Sequence, residues 1–247
     1  MSLTMTNTES WDRAASQYVT QRHPHSVRIS YGRDLPDDAE LRLVPNLRDK
    51  RVLELGCGGG SNAVVMAKAG AKVIAIDASQ AMLAIAEAHA VENKTKVEFH
   101  HGDLAELAWL RAESVEFALS VGVLAEVEDL DRALRQIHRV LRAGSSFVFT
   151  HAHPTALCCR NDYEIDGGLP LGSLEVRRSY FEETPMLITE FDETFRYHPR
   201  TLATLFAALG RAGFGVDTLL EPEPVHSSTL GPEVPTSVVI RAKKLGN

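Results

Sequence analysis

The stretch Val52 to Asn62, VLELGCGGGSN, decides the fold, because an apolar strand runs into an acid, Glu54, and then into a glycine cluster that opens a helix. The chain must turn sharply through Gly56, Gly58, Gly59 and Gly60, since only residues without Cβ let backbone approach a ligand so closely. A helix starting near Ser61 then offers its free amides to an anion such as a carboxylate or phosphate. The glycines alone do not name the ligand. A dinucleotide fingerprint wants GxGxxG or GxGxxA. Counted from Gly56 the third place is Ser61, which fails; counted from Gly58 it is Ala63, which passes weakly. Glu54 separates the readings, because its carboxylate would repel a pyrophosphate and suits a ligand with an ammonium group. An amino acid attached to a nucleoside has that ammonium, a carboxylate for the helix start, and a ribose.

The following segments supply partners for the rest of such a ligand. Lys72 to Ile76 (KVIAI) reads as a buried parallel strand ending at Asp77. A carboxylate at the end of the second strand accepts hydrogen bonds from ribose hydroxyls in this architecture. The other reading of Asp77 is a cap for the helix Ser79 to Glu92, although Ser79 itself fits that place. After a third strand, Lys96 to His100, Asp103 in Gly102-Asp103-Leu104 stands where a strand ends. It can accept from an adenine amino group or cap the following turn.

With these pieces in order, the chain resembles the class I S-adenosylmethionine-dependent methyltransferases, in particular the small ones acting on small molecules. The resemblance is carried by ELGCGGG at Glu54 to Gly60, VIAIDAS at Val73 to Ser79, GDLAEL at Gly102 to Leu107, SVGVLAEVED at Ser120 to Asp129 and VLRAGSSFVF at Val140 to Phe149. It implies S-adenosyl-L-methionine as cofactor, with the methionine moiety on Gly56, Cys57, Gly58 and Gly60. It further implies ribose on Asp77, adenine beside Asp103 and Leu104, and Ser120 and Val121 lining the pocket. Tyr31, Asn62, Ala78 and Met82 complete the expected cofactor shell, with Glu54 below it. Two positions depart from the family. Glu126 stands where relatives often have a histidine, and Ala143-Gly144 replaces the Pro-Gly common before the fifth strand.

Composition narrows the function further. The chain has 247 residues, 44% of them apolar, enough for one full core in a single α/β domain. A formal net charge of -7 disfavours a nucleic-acid substrate, and Arg177-Arg178 is too small a basic patch to reverse that. The first thirty residues lack a signal-peptide core, and no run of about eighteen apolar residues reads as a membrane span, so a cytoplasmic protein is expected. Three cysteines and ten scattered histidines show no zinc spacing, so no metal site is expected.

The expected architecture is a doubly wound, Rossmann-like sheet of seven strands, with the last antiparallel as the family resemblance implies. Residues 1–45 form a helical cover, with Trp11, Ala14, Ala15, Tyr18 and Val19 at helical spacing, Tyr31-Gly32 able to close over the methionine end, and a helix at Asp37 to Val44. Residues 46–153 form the cofactor core, with further strands at Val115 to Val121 and Ser145 to Thr150. Residues 200–247 supply helix Arg200 to Ala212 and strands Gly215 to Leu220 and Thr236 to Ala242. Pro154 to Pro199 is longer than ordinary connections and carries Tyr163, Tyr180, Phe181, Phe191, Phe195 and Tyr197, with Glu190 to His198 alternating as an exposed strand would. Its position makes it a lid over a small-molecule acceptor, or alternatively a homodimer contact or sheet extension. His151 and His153 share a parity with Phe147 and Phe149, which brings both to the crevice edge as candidate bases if the fifth strand stays extended. Their other reading is capping of the strand end and a turn before Pro154, with Glu126 as a substitute base. Beside methyl transfer to oxygen or nitrogen of a small molecule stand methylation of a modified RNA base, a non-catalytic cofactor-binding protein and a nicotinamide-dependent reductase. Glu54 and the lack of a Tyr-x-x-x-Lys pair oppose the last.

Overall fold

The apolar run at 51–55 forms the middle of a sheet, buried on both faces because neighbouring strands and helices cover it. In the computed structural model, which describes residues 6–21, 27–33, 35–159, 175–225 and 234–246, the chain runs α1 (Asn7–Gln21), α2 (Asp38–Leu41), β1 (Arg51–Leu55), α3 (Ser61–Lys68), β2 (Lys72–Asp77), α4 (Gln80–Glu92), β3 (Val97–His101), β4 (Val115–Ser120), α5 (Leu130–Val140), β5 (Leu141–Ala152), α6 (Pro154–Cys158), β6 (Met186–Glu190), β7 (Glu193–Tyr197), α7 (Leu202–Arg211), β8 (Phe214–Leu220) and β9 (Ser237–Lys244). The seven-stranded sheet has the order β3-β2-β1-β4-β5-β9-β8, with β9 antiparallel to both its neighbours. The order reverses between β1 and β4, and the crevice above their carboxyl ends is where such sheets bind ligands.

Alternation along the strands divides the core between the two faces. Leu53, Leu55, Ile74, Ile76 and Phe147 pack with α5 and α7 on one side, while Val52, Val73, Ala75, Phe117 and Leu119 pack with α3 and residues 29–47 on the other. Glu54 shares the parity of Val52, flanked in register by Ala75 and Leu119, so a carboxylate is built into the second face.

Three expectations are corrected. The helix at Asp37 to Val44 shrinks to α2: Asp37 caps it, Arg42 enters the left-handed region at φ 53°, and the Asp38 side chain takes the Leu43 and Val44 amides at 2.8 and 3.1 Å. The fifth strand begins at Leu141 and not Ser145, since Leu141 pairs with Val115 across a register shift, and it continues through His151 to Ala152. Glu190 to His198 is not one exposed strand. It holds the turn and second strand of a hairpin, β6-β7, reversing through Phe191 and Asp192 at φ 54° and 59°, with Phe195 buried beneath Trp11 at 4.4 Å between ring centroids. No Asn-Gly or Asp-Gly pair marks that turn. Tyr163 and the side chain of Val19 lie outside the described residues. No helix among the described residues is long and apolar enough to cross a membrane.

Candidate active site

Each turn above the carboxyl ends of β1, β2, β4 and β5 delivers residues to one cavity of about 1480 Å³, larger than the roughly 300–1,000 Å³ of ordinary ligand pockets. Its floor is the glycine turn. Gly56, Gly58 and Gly60 all have positive φ; a Cβ on Gly56 would collide with Val123, and one on Gly60 would lie 2.8 Å from Ala86 Cβ. Behind this turn, burial holds the Glu54 carboxyl well above its ordinary range, with the Asp77 charge adding to the effect. Glu54 Oε2 is enclosed without a hydrogen-bond partner among the described residues. A buried carboxylate oxygen in need of a donor, beside a backbone cradle open to a ligand, fits the ammonium and carboxylate of a methionine moiety.

Asp77 uses both oxygens within the protein: Oδ2 accepts from the Gly58 amide at 2.8 Å and Oδ1 from the Ser79 amide at 2.9 Å. It therefore holds the glycine turn while still lining the cavity, and burial raises its pKa. Ser79 caps α4 through the Met82 amide. Asp103 also lines the cavity, and its Oδ1 accepts from the Ala105 amide at 2.8 Å, so the turn-capping contact is present as well.

Of the residues expected from sequence, Tyr31, Gly56, Gly58, Asp77, Ala78, Met82, Asp103, Leu104, Val121 and His151 line the cavity. Glu54, Cys57, Gly60, Asn62, Ser120 and His153 stand outside its wall. Asn62 instead clamps Ser30, accepting from its amide and donating to its carbonyl at 2.9 Å each, which presents Tyr31 and Gly32 to the cavity. Tyr31 is 1% exposed, its hydroxyl donating to Asp38 Oδ1 at 2.5 Å. Ser120 Oγ is enclosed without a partner among the described residues.

The two histidines do not emerge together. β5 ends between them and His153 becomes the N-cap of α6, taking the Thr155 amide and meeting Glu221 at 2.7 Å. His151 is fully buried on the cavity wall with Nδ1 bonded to the Ala152 carbonyl at 2.8 Å, so Nε2 carries the lone pair and has no partner among the described residues. Burial lowers its pKa to about 4. Of the aromatics in the 154–199 segment, Tyr180 and Phe181 do not line the cavity: Tyr180 packs on Cys158, Cys159 and Val234, and Phe181 is exposed, whereas the hairpin reaches the cavity through residues 189–192 and 196–198.

Glu126, which the sequence offers only as a substitute base, is held by partners distant in the chain. Glu126 Oε2 accepts from Asn7 Nδ2 and Trp11 Nε1, both at 2.8 Å. The Arg200 guanidinium binds the carbonyls of Leu124, Val127 and Glu128, and His198 N donates to the Ala125 carbonyl at 2.6 Å. The partners lie more than seventy positions away, so no local pattern reveals them. Helix α1 closes the cavity from above. Asp12 Oδ1 accepts from the Ser79 hydroxyl at 2.6 Å and the Ala81 amide at 3.1 Å, Arg13 pairs with Glu193 at 2.7 Å, and Tyr18 OH stands 3.6 Å from where a Gly58 Cβ would be. No cluster of three or more His, Cys, Asp or Glu among the described residues is placed to hold a metal ion.

Residues 53–149 match the family model of a methyltransferase domain. The fold is similar to that of an S-adenosylmethionine-dependent methyltransferase from Mesorhizobium loti (26% identical, TM-score 0.66, covering 83% of this chain and 95% of that one). It is similar also to that of a candidate S-adenosylmethionine-dependent methyltransferase from Listeria monocytogenes (27%, TM-score 0.71, 83% and 96%). A ubiquinone biosynthesis O-methyltransferase of Pseudomonas syringae is 34% identical over 105 residues, which span 42% of this chain and 45% of that protein. The cavity floor, the strand order and these likenesses agree: the chain carries an S-adenosylmethionine-dependent methyltransferase domain with the class I fold.

Proposed function

We propose that this enzyme methylates a hydroxyl oxygen of a small molecule. One observation carries the reading: a single large cavity is lined both by the glycine turn and Asp77 and by Glu126, His151, Leu157, Thr189 and His198. That leaves room for an acceptor beside the cofactor. When bound, S-adenosylmethionine supplies a methyl group already activated by its sulfonium, so the protein's task is alignment, exclusion of water and handling of the acceptor's proton. Gly56 and Gly58 would hold the methionine end, with the Glu54 carboxyl buried behind the turn, Asp77 the ribose and Asp103 the adenine edge. Helix α1 and the β6-β7 hairpin are the cover and lid that exclude water. His151, with its unprotonated Nε2, orients the acceptor by accepting a hydrogen bond, while His153 serves the fold.

The acidic residues lining this cavity, with Glu106, Glu128, Asp129, Glu190 and Asp192 near Asp103 and Glu126, favour a neutral acceptor over a phosphorylated one. The similarity to ubiquinone biosynthesis O-methyltransferases supports oxygen as the methylated atom. Release of S-adenosylhomocysteine measured across phenols, aliphatic alcohols, carboxylic acids and amines tests the proposal. Turnover is expected with hydroxyl compounds, phenols foremost. Turnover confined to amines or carboxylic acids would overturn it.

A further inference from the structure

Resting on the hydroxyl-acceptor reading, we propose that Glu126 is the group that removes the acceptor's proton, and that helix α1 completes this base by fixing the carboxylate. The loop from Val121 to Glu126 crosses the cavity floor: Val123 fills the space above Gly56, and the Glu126 amide bonds back to the Val123 carbonyl at 2.9 Å. Glu126 thus stands one turn from the residue touching the glycine floor, on the cavity wall. Both donors from α1, Asn7 and Trp11, fall on Oε2, so Oε1 is the oxygen left for a ligand. The loop backbone is held from the opposite side by Arg200, whose guanidinium fixes the carbonyls on either side of Glu126. A carboxylate clamped at one oxygen and along its backbone is a rigid proton acceptor, which side chains of purely structural function do not require.

Burial, reinforced by the Glu190 and Asp77 charges and opposed by the Trp11 and Asn7 bonds, pushes its pKa up to about 8. His198 and Arg200 also pack on this loop, and Glu128 and Asp129 adjoin it on the cavity wall. A base titrating near working pH is better matched to a hydroxyl than His151, whose pKa near 4 gives little driving force. The step balances within the site. Oε1 takes the hydroxyl proton; the acceptor oxygen forms the new bond to the methyl carbon as the sulfur–methyl bond breaks, and that electron pair stays on sulfur.

The test compares wild type, E126Q and E126D with catechol as first hydroxyl probe and aniline as amine probe, from pH 6 to 10, alongside calorimetric binding of S-adenosylhomocysteine. E126Q is expected to bind S-adenosylhomocysteine as wild type does and to lose catechol turnover by about 10²–10⁴-fold, with a residual rate that climbs as the free phenolate forms. E126D should retain more than E126Q. A second readout needs no acceptor. The indole of Trp11 donates to Glu126, so in a W109F background its emission should titrate with the carboxyl, and E126Q should abolish that transition. Wild-type catechol turnover and pH profile in a folded, cofactor-binding E126Q would overturn the role of Glu126 alone. A wild-type enzyme that methylates aniline and no hydroxyl probe would overturn the acceptor reading instead, and this proposal with it.

Discussion

At the scale of single residues, the site depends on side chains that hold backbone in place as much as on those that face the ligand. Asp77 is the clearest case, because each of its oxygens already holds an amide of the turn that forms the cofactor floor. Asp77→Ala should therefore weaken S-adenosylmethionine binding at least about tenfold, since losing even one charge-assisted bond costs about 1.5–3 kcal/mol. Calorimetry on the folded variant checks this, and unchanged affinity would reduce Asp77 to a cap. Asn62 makes a different prediction. It never reaches the cavity, yet its two bonds to Ser30 set the segment carrying Tyr31 and Gly32. Asn62→Ala should lower cofactor affinity several-fold, by roughly the net worth of one or two neutral hydrogen bonds, about 0.5–1.5 kcal/mol each. Asn62→Asp should not restore it, because a carboxylate has no donor for the Ser30 carbonyl.

Among the elements, the β6-β7 hairpin and α1 form one unit across the mouth of the cavity. Asn7 pairs with both the amide and carbonyl of Arg196, Ser10 donates to the Thr194 carbonyl at 2.7 Å, and Trp11 packs on Phe195. The part of the 154–199 region that lines the cavity is the hairpin with α6, and not Tyr180 and Phe181, so the proposed acceptor role falls to the former. Thr189→Trp should fill the acceptor end and cut turnover roughly tenfold or more while cofactor affinity stays within about twofold, since overpacking acts where the volume is added. Replacing Tyr180 and Phe181 together by alanine should leave acceptor KM unchanged. Steady-state kinetics on the three proteins decide it, and equal damage to cofactor binding by Thr189→Trp would remove the lid role.

For the molecule as a whole, the buried ionisable groups make stability depend on pH. The folded state holds the Glu126 proton up to a pKa of about 8 against an ordinary 4.5, so it binds more protons than the unfolded chain between those values, and stability falls as pH rises through that window. Glu54 and Asp77, raised by burial, act in the same direction. His151 acts oppositely: with its folded pKa near 4 against 6.5, the unfolded chain binds the extra proton, and stability falls as pH drops from 6.5 towards 4. The cofactor-free protein should thus be most stable in mildly acidic solution and lose stability between pH 6.5 and 8. Urea midpoints measured across that range should show the decline in wild type and a shallower one in E126Q; an identical slope in both would deny Glu126 its raised pKa.

The strands themselves, the glycine turn and the acids near the ends of the first three strands were legible in the chain, because each is a local event. A buried strand, a glycine that must take positive φ and a carboxylate at or close to a strand end are specified within a few positions, and Gly56, Gly58, Gly60 and Gly144 all adopt the backbone their identity permits. The antiparallel last strand was expected through the family resemblance and stands in the sheet. What the tertiary structure alone decided was which polar residues meet. Glu126 is joined to Asn7 and Trp11 across more than a hundred positions, and its loop to Arg200 across more than seventy. His151 and His153 share a parity on paper but are parted by the end of a strand and the start of a helix. The hairpin turn of Phe191 and Asp192 has no glycine to announce it; packing of Phe195 under α1 supports it from outside. Local chemistry fixes backbone conformation residue by residue, whereas burial, and with it the pKa and partner of every acid in the cavity, exists only once distant segments have packed.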